Sequence, residues 1–284
     1  MTDFNLDEHI VDLLRDEPFF AALSRRMEKV STKSVPTAGV KFNEERCRFE
    51  MYYNPEFLSG LHEQDPKFVK GVLLHEFYHI VLLHVTTRIP GGKMTKKWNV
   101  ATDLAINSEL SSFEKDYESP SGYVVVSSML PIDKALIPSV EMFAKYPPHL
   151  SAEEYMQMLP DNEGEGEPDK GGEGNADGEQ TQQSQGEQDG DGNGFDDHSD
   201  WGDSDGTDEK RKIAEERLKE SIKEAYVEAQ SKGFGSVSQS MRKSIKEAIT
   251  PKVNWRSVLR SFVKASQRAN KTSTIKRLNR RYAY

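Results

Sequence analysis

The stretch LLHEFYHIVLLHVTTR, residues 73–88, places three histidines and a glutamate within the most apolar part of the chain. Burial of such groups is costly unless something pairs with them, so this stretch calls for a chemical explanation. The pattern predicts a helix that begins at Asp65 or Pro66, where an aspartate cap precedes a first-turn proline. The same pattern predicts that the helix continues to Arg88, because the stop signal is the Pro-Gly-Gly of residues 90–92.

Helical geometry separates the three histidines, because each residue turns about 100°. His75 and His79 lie about 40° apart on one face, and Glu76 lies next to His75. The three form an H-E-x-x-H motif, in which two imidazoles bind Zn²⁺ and the glutamate deprotonates a water molecule that the metal activates. A hydrogen-bonded cluster without metal is the alternative. His84 falls about 180° from His75 and is predicted to be a structural or surface histidine.

A third ligand is expected from the next apolar stretch, WNVATDLAINSEL, residues 98–110. On a helix, Asn99, Asp103 and Asn107 form a polar stripe within the apolar face. We predict that Asp103 binds the zinc and that the two asparagines orient its carboxylate. The alternative is that Asp103 caps a neighbouring helix or bonds to these asparagines.

Three motifs in this order, YYNPEFL (residues 52–58) and the two stretches quoted above, resemble the putative metallopeptidase domain of bacterial and phage proteins. The resemblance covers about residues 5–160 and resumes at ITPKVNWRSVLRSFV, residues 249–263. It implies a zincin-like, gluzincin-type fold with His75, His79 and Asp103 as ligands and Glu76 as the catalytic base. Family members usually continue into a von Willebrand A-like module and co-operate with ring ATPases. No D-x-S-x-S motif of that module follows here, so such partners are expected from the resemblance alone.

The net charge of −9 hides three segments of different charge. Residues 1–160 carry 17 basic and 23 acidic side chains, residues 161–210 carry 2 and 18, and residues 211–284 carry 19 and 6. The predicted organisation is an α+β metallopeptidase domain over 1–160, a disordered acidic Gly-rich linker over 161–210 and a basic helical segment over 211–284. A calcium-loop match at residues 189–200 is attributed to this biased composition.

The remaining features concern location and partners. A single cysteine excludes a disulfide framework within the chain, and neither a signal peptide nor a membrane-spanning run is found, so a cytoplasmic protein is expected. The basic C-terminal segment is predicted to bind nucleic acid phosphates or to dock on the acidic parts of its own chain.

Further elements complete the expected domain. The sequence predicts a helix over residues 5–30, a hairpin formed by AGVKFN and RCRFEMYYNP, and helices over 208–231, 238–249 and 254–269. The RCRFEMYY strand is expected to pair with an extended substrate at a sheet edge. Four side chains are candidates to stabilise an oxyanion: Tyr52, Tyr53, Tyr123 and His62.

These patterns together predict a zinc metallopeptidase that cleaves peptide bonds in a peptide or protein substrate. The alternative is a non-catalytic adaptor, in which zinc braces the fold and the basic segment binds nucleic acid or a partner protein.

The composition of residues 161–210 generates a first testable prediction. A nonspecific protease should cleave this stretch long before either flank, because it lacks the apolar groups needed to fold. Limited proteolysis followed by mass spectrometry of the fragments measures this. Equal resistance along the whole chain would contradict the predicted organisation.

Overall fold

The computed structural model describes residues 4–43, 45–46, 48–84, 86, 88–92, 95–160, 208–250 and 255–269. Cys47, the calcium-loop match and residues 161–207 lie outside this part. The described chain is a mixed α+β structure. Its elements are α1 (Leu6–Asp16), α2 (Pro18–Ser24), β1 (Glu28–Ser31), β2 (Ala38–Asn43), β3 (Arg48–Tyr53), α3 (Pro55–Gln64), α4 (Pro66–Val81), α5 (Lys96–Glu109), β4 (Ser111–Lys115), β5 (Tyr123–Ser128), α6 (Ala152–Met158), α7 (Asp208–Lys232), α8 (Gln239–Ile249) and α9 (Trp255–Ala269).

The strands form two small sheets. In the first, β3 lies between β1 and β2, and β4 pairs with β5 in the second. The antiparallel pairing of β2 with β3, with Phe42 opposite Phe49, confirms the predicted hairpin. The parallel strand β1 was not predicted. Because β3 has a neighbour on each side, the expectation that its RCRFEMYY sequence receives a substrate by edge addition is wrong.

The predicted helix over residues 5–30 is two helices, because a proline interrupts it. Pro18 cannot donate a backbone hydrogen bond, so α1 ends at Asp16 and Pro18 becomes the first residue of α2. The buried Glu17 at this corner accepts hydrogen bonds from the backbone and hydroxyl of Ser236, at 2.7 and 2.9 Å. The α1–α2 corner is thereby tied to the turn that follows α7.

The larger of two hydrophobic clusters among the described residues joins the first part of the chain to the helices after the acidic stretch. Its centre is α4, which is apolar nearly all round and buried from Val69 onwards apart from Lys70. Helix α7 adds Leu218, Ile222 and Ala225 to the same cluster. The three basic-segment helices α7, α8 and α9 begin and end close to the residues predicted for them. The domain boundaries at residues 160 and 210 stay a prediction.

Helix α9 is strongly amphipathic and exposes its apolar face. Trp255 and Phe262 are 64% and 70% exposed, and the Arg256 guanidinium lies over the Trp255 ring, 5.6 Å from its centroid. None of the helices in the described ranges combines the length and hydropathy required to cross a membrane.

Helix α4 approaches the backbone of the segment after β5 very closely. At Gly71, an added Cβ atom would overlap the carbonyl oxygen of Met129 and lie 2.7 Å from its carbonyl carbon. Glycine is therefore required by space at this position, although the backbone is an ordinary helix. This contact fixes how near α4 lies to residues 129–150, a segment that we call the strap.

The contact predicts opposite effects of the same substitution at two helical glycines. Gly71→Ala should lower the free energy of unfolding by about 1–3 kcal/mol, because its methyl group has no room. Gly60→Ala in α3 is the matched control, since beyond its chain neighbours and the backbone of its own helix no atom lies within 4 Å of its added Cβ. That change should raise the free energy of unfolding by about 0.5–1 kcal/mol through helix propensity. Urea denaturation measures both, and equal effects would contradict the close approach.

Candidate metal centre

Helices α4 and α5 bring together the three side chains that the sequence analysis selected as ligands. The Nε2 atoms of His75 and His79 are 3.0 Å apart. The Oδ1 atom of Asp103 lies 3.4 Å from Nε2 of His79 and 3.7 Å from Nε2 of His75. All three side chains are buried, and they form a group of donor atoms that could hold a metal ion.

The spacing of these donor atoms fits a tetrahedral zinc ion. Ligands 2.0–2.1 Å from the metal are about 3.3–3.4 Å from one another in a tetrahedron. The three distances between the donor atoms fall around this value. Two imidazole nitrogens and one carboxylate oxygen are also a ligand set that zinc accepts, with a fourth position left for water or substrate.

Asn107 determines which nitrogen of His75 faces the site. Its Nδ2 atom donates to the carbonyl oxygen of Leu136 in the strap at 2.9 Å, which leaves Oδ1 as the acceptor. Nδ1 of His75 lies 2.7 Å from that oxygen and must therefore carry the proton. The Nε2 lone pair of His75 is then directed at Asp103 and His79. Asn107 thus orients His75, and the prediction that it orients Asp103 is wrong.

Helix α4 ends seven residues earlier than predicted. The N–H groups of Leu83 and His84 donate to the carbonyl oxygens of Ile80 and His79, at 3.0 and 2.9 Å. These are the two bonds of a Schellman motif, and the first donor, Leu83, has the left-handed conformation that the motif requires, with φ of 60°. Glycine usually occupies that position, so a leucine there is not recognisable as a helix stop before Pro90.

The early end of α4 also corrects the prediction for His84. The chain turns back, and the His84 ring is fully buried against His79 and Trp98, with ring centroids 5.4 and 5.9 Å away. Nδ1 of His84 lies 3.4 Å from Nδ1 of His79. His84 therefore contacts a candidate ligand, although on the ring nitrogen opposite the one that faces Asp103.

The electrostatics of the group favour a cation. Burial, and then the nearby charge of Glu76, raise the pKa of Asp103 well above its ordinary value. Burial lowers the pKa of His75 and, together with Arg88, lowers that of His84 well below the ordinary value. When both carboxylates are ionised they carry a formal charge of −2 among neutral imidazoles, and a bound divalent cation would balance this charge.

Two of the oxyanion candidates are engaged elsewhere in the structure. The hydroxyl of Tyr52 donates to Glu50 at 2.7 Å, and the His62 ring packs edge-on against His9 at 5.1 Å. The contributions that sequence reasoning missed are those of His84 and Asn107 around the two imidazoles. The polar i, i+4 stripe of α5 did include Asn107. Helical angles alone do not show, however, which side chain of α4 a residue of α5 will contact.

The role of Asn107 is open to a direct test. Asn107→Ala should weaken zinc binding by about 10- to 100-fold, because His75 loses the acceptor that fixes its ring. Asn107→Asp keeps that acceptor and should retain more of the affinity than alanine does. Competition with a chromophoric chelator measures the dissociation constants.

Asn99→Ala is the matched control for this experiment. Asn99 belongs to the same stripe of α5, but its Oδ1 has no hydrogen-bond partner among the described residues. Its substitution should leave zinc affinity unchanged. If Asn99→Ala and Asn107→Ala weakened binding equally, the orientation of His75 by Asn107 would be refuted.

Comparison with known proteins places this site in a family. The chain matches the model of the family described as "Putative metallopeptidase domain" over residues 3–284. A similar protein of Thermotoga maritima, described as "Uncharacterized protein", is 22% identical over 286 residues. That alignment covers 98% of this chain but 63% of the relative, so this chain spans less than two thirds of the relative's length. No solved structure matches. Since the family model covers nearly the whole chain, the protein belongs to the putative metallopeptidase domain family.

Proposed function

We propose that the protein is a zinc-dependent peptidase with a zincin-like arrangement of its site helices. The observation that carries this proposal is the spacing of the Nε2 atoms of His75 and His79 and the Oδ1 atom of Asp103, which fits tetrahedral zinc. Glu76 lies on the same helix as the two histidines and is fully buried beside them. Membership of a family described by metallopeptidase activity supports the same reaction class.

Each residue of the group has a chemical role in this proposal. His75, His79 and Asp103 would hold the ion, which when bound would supply a Lewis acid that makes a water molecule acidic enough to ionise near neutral pH. Glu76 accepts the proton of the attacking water and delivers it to the departing amine. The charge of Glu76 opposes the fall that burial causes in the pKa of His75 and adds to the rise that burial causes in the pKa of Asp103, so its carboxylate acts electrostatically on this group.

Burial of the group limits how a peptide reaches it. His75 keeps 5% of its surface exposed, whereas Glu76 and His79 keep none. A substrate therefore approaches along the edge occupied by His75 and Asn107. This edge borders the strap, because the carbonyl oxygen of Leu136 accepts a hydrogen bond from Asn107.

A non-catalytic adaptor braced by metal is the second candidate, and two observations favour it. The candidate ligands are almost completely buried, as ligands of structural zinc sites are. Helix α9 also presents exposed apolar side chains beside Arg256, Arg260 and Lys264, a composition suited to an anionic partner. Nucleic acid, or a von Willebrand A-like or ring-ATPase partner, would then be bound through the basic helices.

Glu76→Gln distinguishes the two candidates. Glutamine fills the same volume but cannot accept a proton, so peptide hydrolysis should fall by about 10²–10⁴-fold. Zinc content and the urea midpoint should stay close to wild type, because Glu76 is not a proposed ligand. Asp103→Ala, by contrast, should lose bound zinc together with activity. A peptide-library assay and metal analysis by mass spectrometry provide the two readouts.

Glu114→Gln is the matched control for this comparison. Glu114 is an exposed residue of β4, so the same chemical change there should leave hydrolysis and zinc content unaltered. Hydrolysis at the wild-type rate by Glu76→Gln would show that another group is the base. Stoichiometric zinc without hydrolysis of any library peptide would support the adaptor.

A further inference from the structure

We propose that His84 is a positioning residue that holds the imidazole of His79 in the orientation required for metal binding. This inference rests on the proposed function, because it concerns a ligand of the same site. His84 would bind neither the metal nor the substrate. Its contribution would be to accept a hydrogen bond from the ring nitrogen of His79 that faces away from the ion.

The two nitrogens of His79 have different neighbours. Nε2 faces Asp103 at 3.4 Å and His75 at 3.0 Å, so it is the atom that binds the ion. Nδ1 faces Nδ1 of His84 at 3.4 Å. When Nε2 of a neutral imidazole binds a cation, its proton resides on Nδ1, and that N–H group requires an acceptor. In this structure the group facing it is His84.

Nδ1 of His84 can serve as this acceptor only if its ring proton is on Nε2. Arg88 is the neighbour on that side, with Nη1 at 3.5 Å from Nε2 of His84. The guanidinium does not depend on His84 for an acceptor. Its Nη1 donates to the carbonyl oxygen of Leu82 at 3.3 Å, and its Nε donates to Glu153 at 3.0 Å. Since a guanidinium only donates, this 3.5 Å contact and a proton on Nε2 of His84 exclude each other. In the metal-loaded protein the proton therefore resides on Nε2 of His84, and Arg88 keeps only its bonds to Leu82 and Glu153.

The backbone holds His84 in this place independently of its side chain. The His84 N–H donates to the carbonyl oxygen of His79, as part of the turn that ends α4. The left-handed conformation of Leu83, which residues other than glycine rarely adopt, makes this turn possible. The same two residues are thus joined twice, by a backbone hydrogen bond and by facing ring nitrogens.

Packing restricts the ring of His84 further. It is fully buried, and the ring of Trp98 lies edge-on to it with centroids 5.9 Å apart. Trp98 belongs to the first turn of α5, the helix that also carries Asp103. His84 consequently lies between the end of one ligand helix and the start of the other.

The test compares two substitutions that differ in hydrogen bonding. His84→Gln can present its amide oxygen to Nδ1 of His79, whereas His84→Leu fills similar space without an acceptor. Zinc affinity of the full chain, measured by competition with a chelator, should fall by about 10- to 100-fold for leucine. Glutamine should restore most of it. Urea unfolding in the presence of EDTA shows separately whether the metal-free fold has been weakened.

His9→Leu is the matched control, because His9 is a buried histidine of α1 whose ring packs on Phe4 and His62. Its loss should leave zinc affinity unchanged. Equal zinc affinity in His84→Leu and wild type would overturn the proposal, as would weakening by glutamine as severe as that by leucine.

A measurement on the unsubstituted protein avoids any folding defect of the variants. In the zinc-loaded protein, ¹⁵N NMR should show His79 protonated on Nδ1 and His84 protonated on Nε2 alone. A proton on Nδ1 of His84 would overturn the proposal. Asp103→Ala separates failure of the proposed metal site from failure of the positioning role. If Asp103→Ala binds zinc as tightly as wild type, the proposed site is wrong. If Asp103→Ala loses zinc but His84→Leu binds it normally, only the positioning role is refuted.

Discussion

Two carboxylates and three imidazoles are removed from water in one layer between α4 and α5. The rest of the structure depends on this constraint. Glu76, His79 and His84 have no exposed surface, and His75 and Asp103 have almost none. The cost of burying such groups is large unless charges are balanced and hydrogen bonds are made. Neighbouring groups meet this requirement. Asn107 accepts a hydrogen bond from His75, His84 faces the outer ring nitrogen of His79, and a divalent cation would balance the charge of the carboxylates.

Much of this centre could be predicted from the sequence because both helices carry strong periodic patterns. An apolar helix that contains His75, Glu76 and His79 has few chemical explanations, and the i, i+4 stripe pointed to Asp103. The structure brings these candidate ligands within a few ångströms of one another. The start of α4 was also predictable, from its capping residue. Asp65 accepts a hydrogen bond from the backbone of Lys67, as an N-cap residue does.

The features that escaped prediction depend on contacts between distant residues or on unusual backbone conformations. Leu83 adopts a left-handed conformation that is unusual for leucine and cannot be read from its residue type. The predictions for the end of α4 and for the position of His84 were wrong for this reason. Strand β1 exists because it pairs with β3, and its own four residues carry little signal. Glu17 is buried because Ser236, more than two hundred residues later, donates to it.

The strap links the two ligand helices mechanically, because it contacts both. Its Met129 carbonyl lies against Gly71 of α4, and its Leu136 carbonyl accepts a hydrogen bond from Asn107 of α5. The separation of the helices, and with it the spacing of the candidate ligands, therefore depends on an irregular segment distant in sequence from both H-E-x-x-H histidines. The dependence is reciprocal. If an ion binds only the folded state and its free concentration is one hundred times its dissociation constant, it stabilises that state by about 2.7 kcal/mol. Part of this free energy would then help to hold the strap in place.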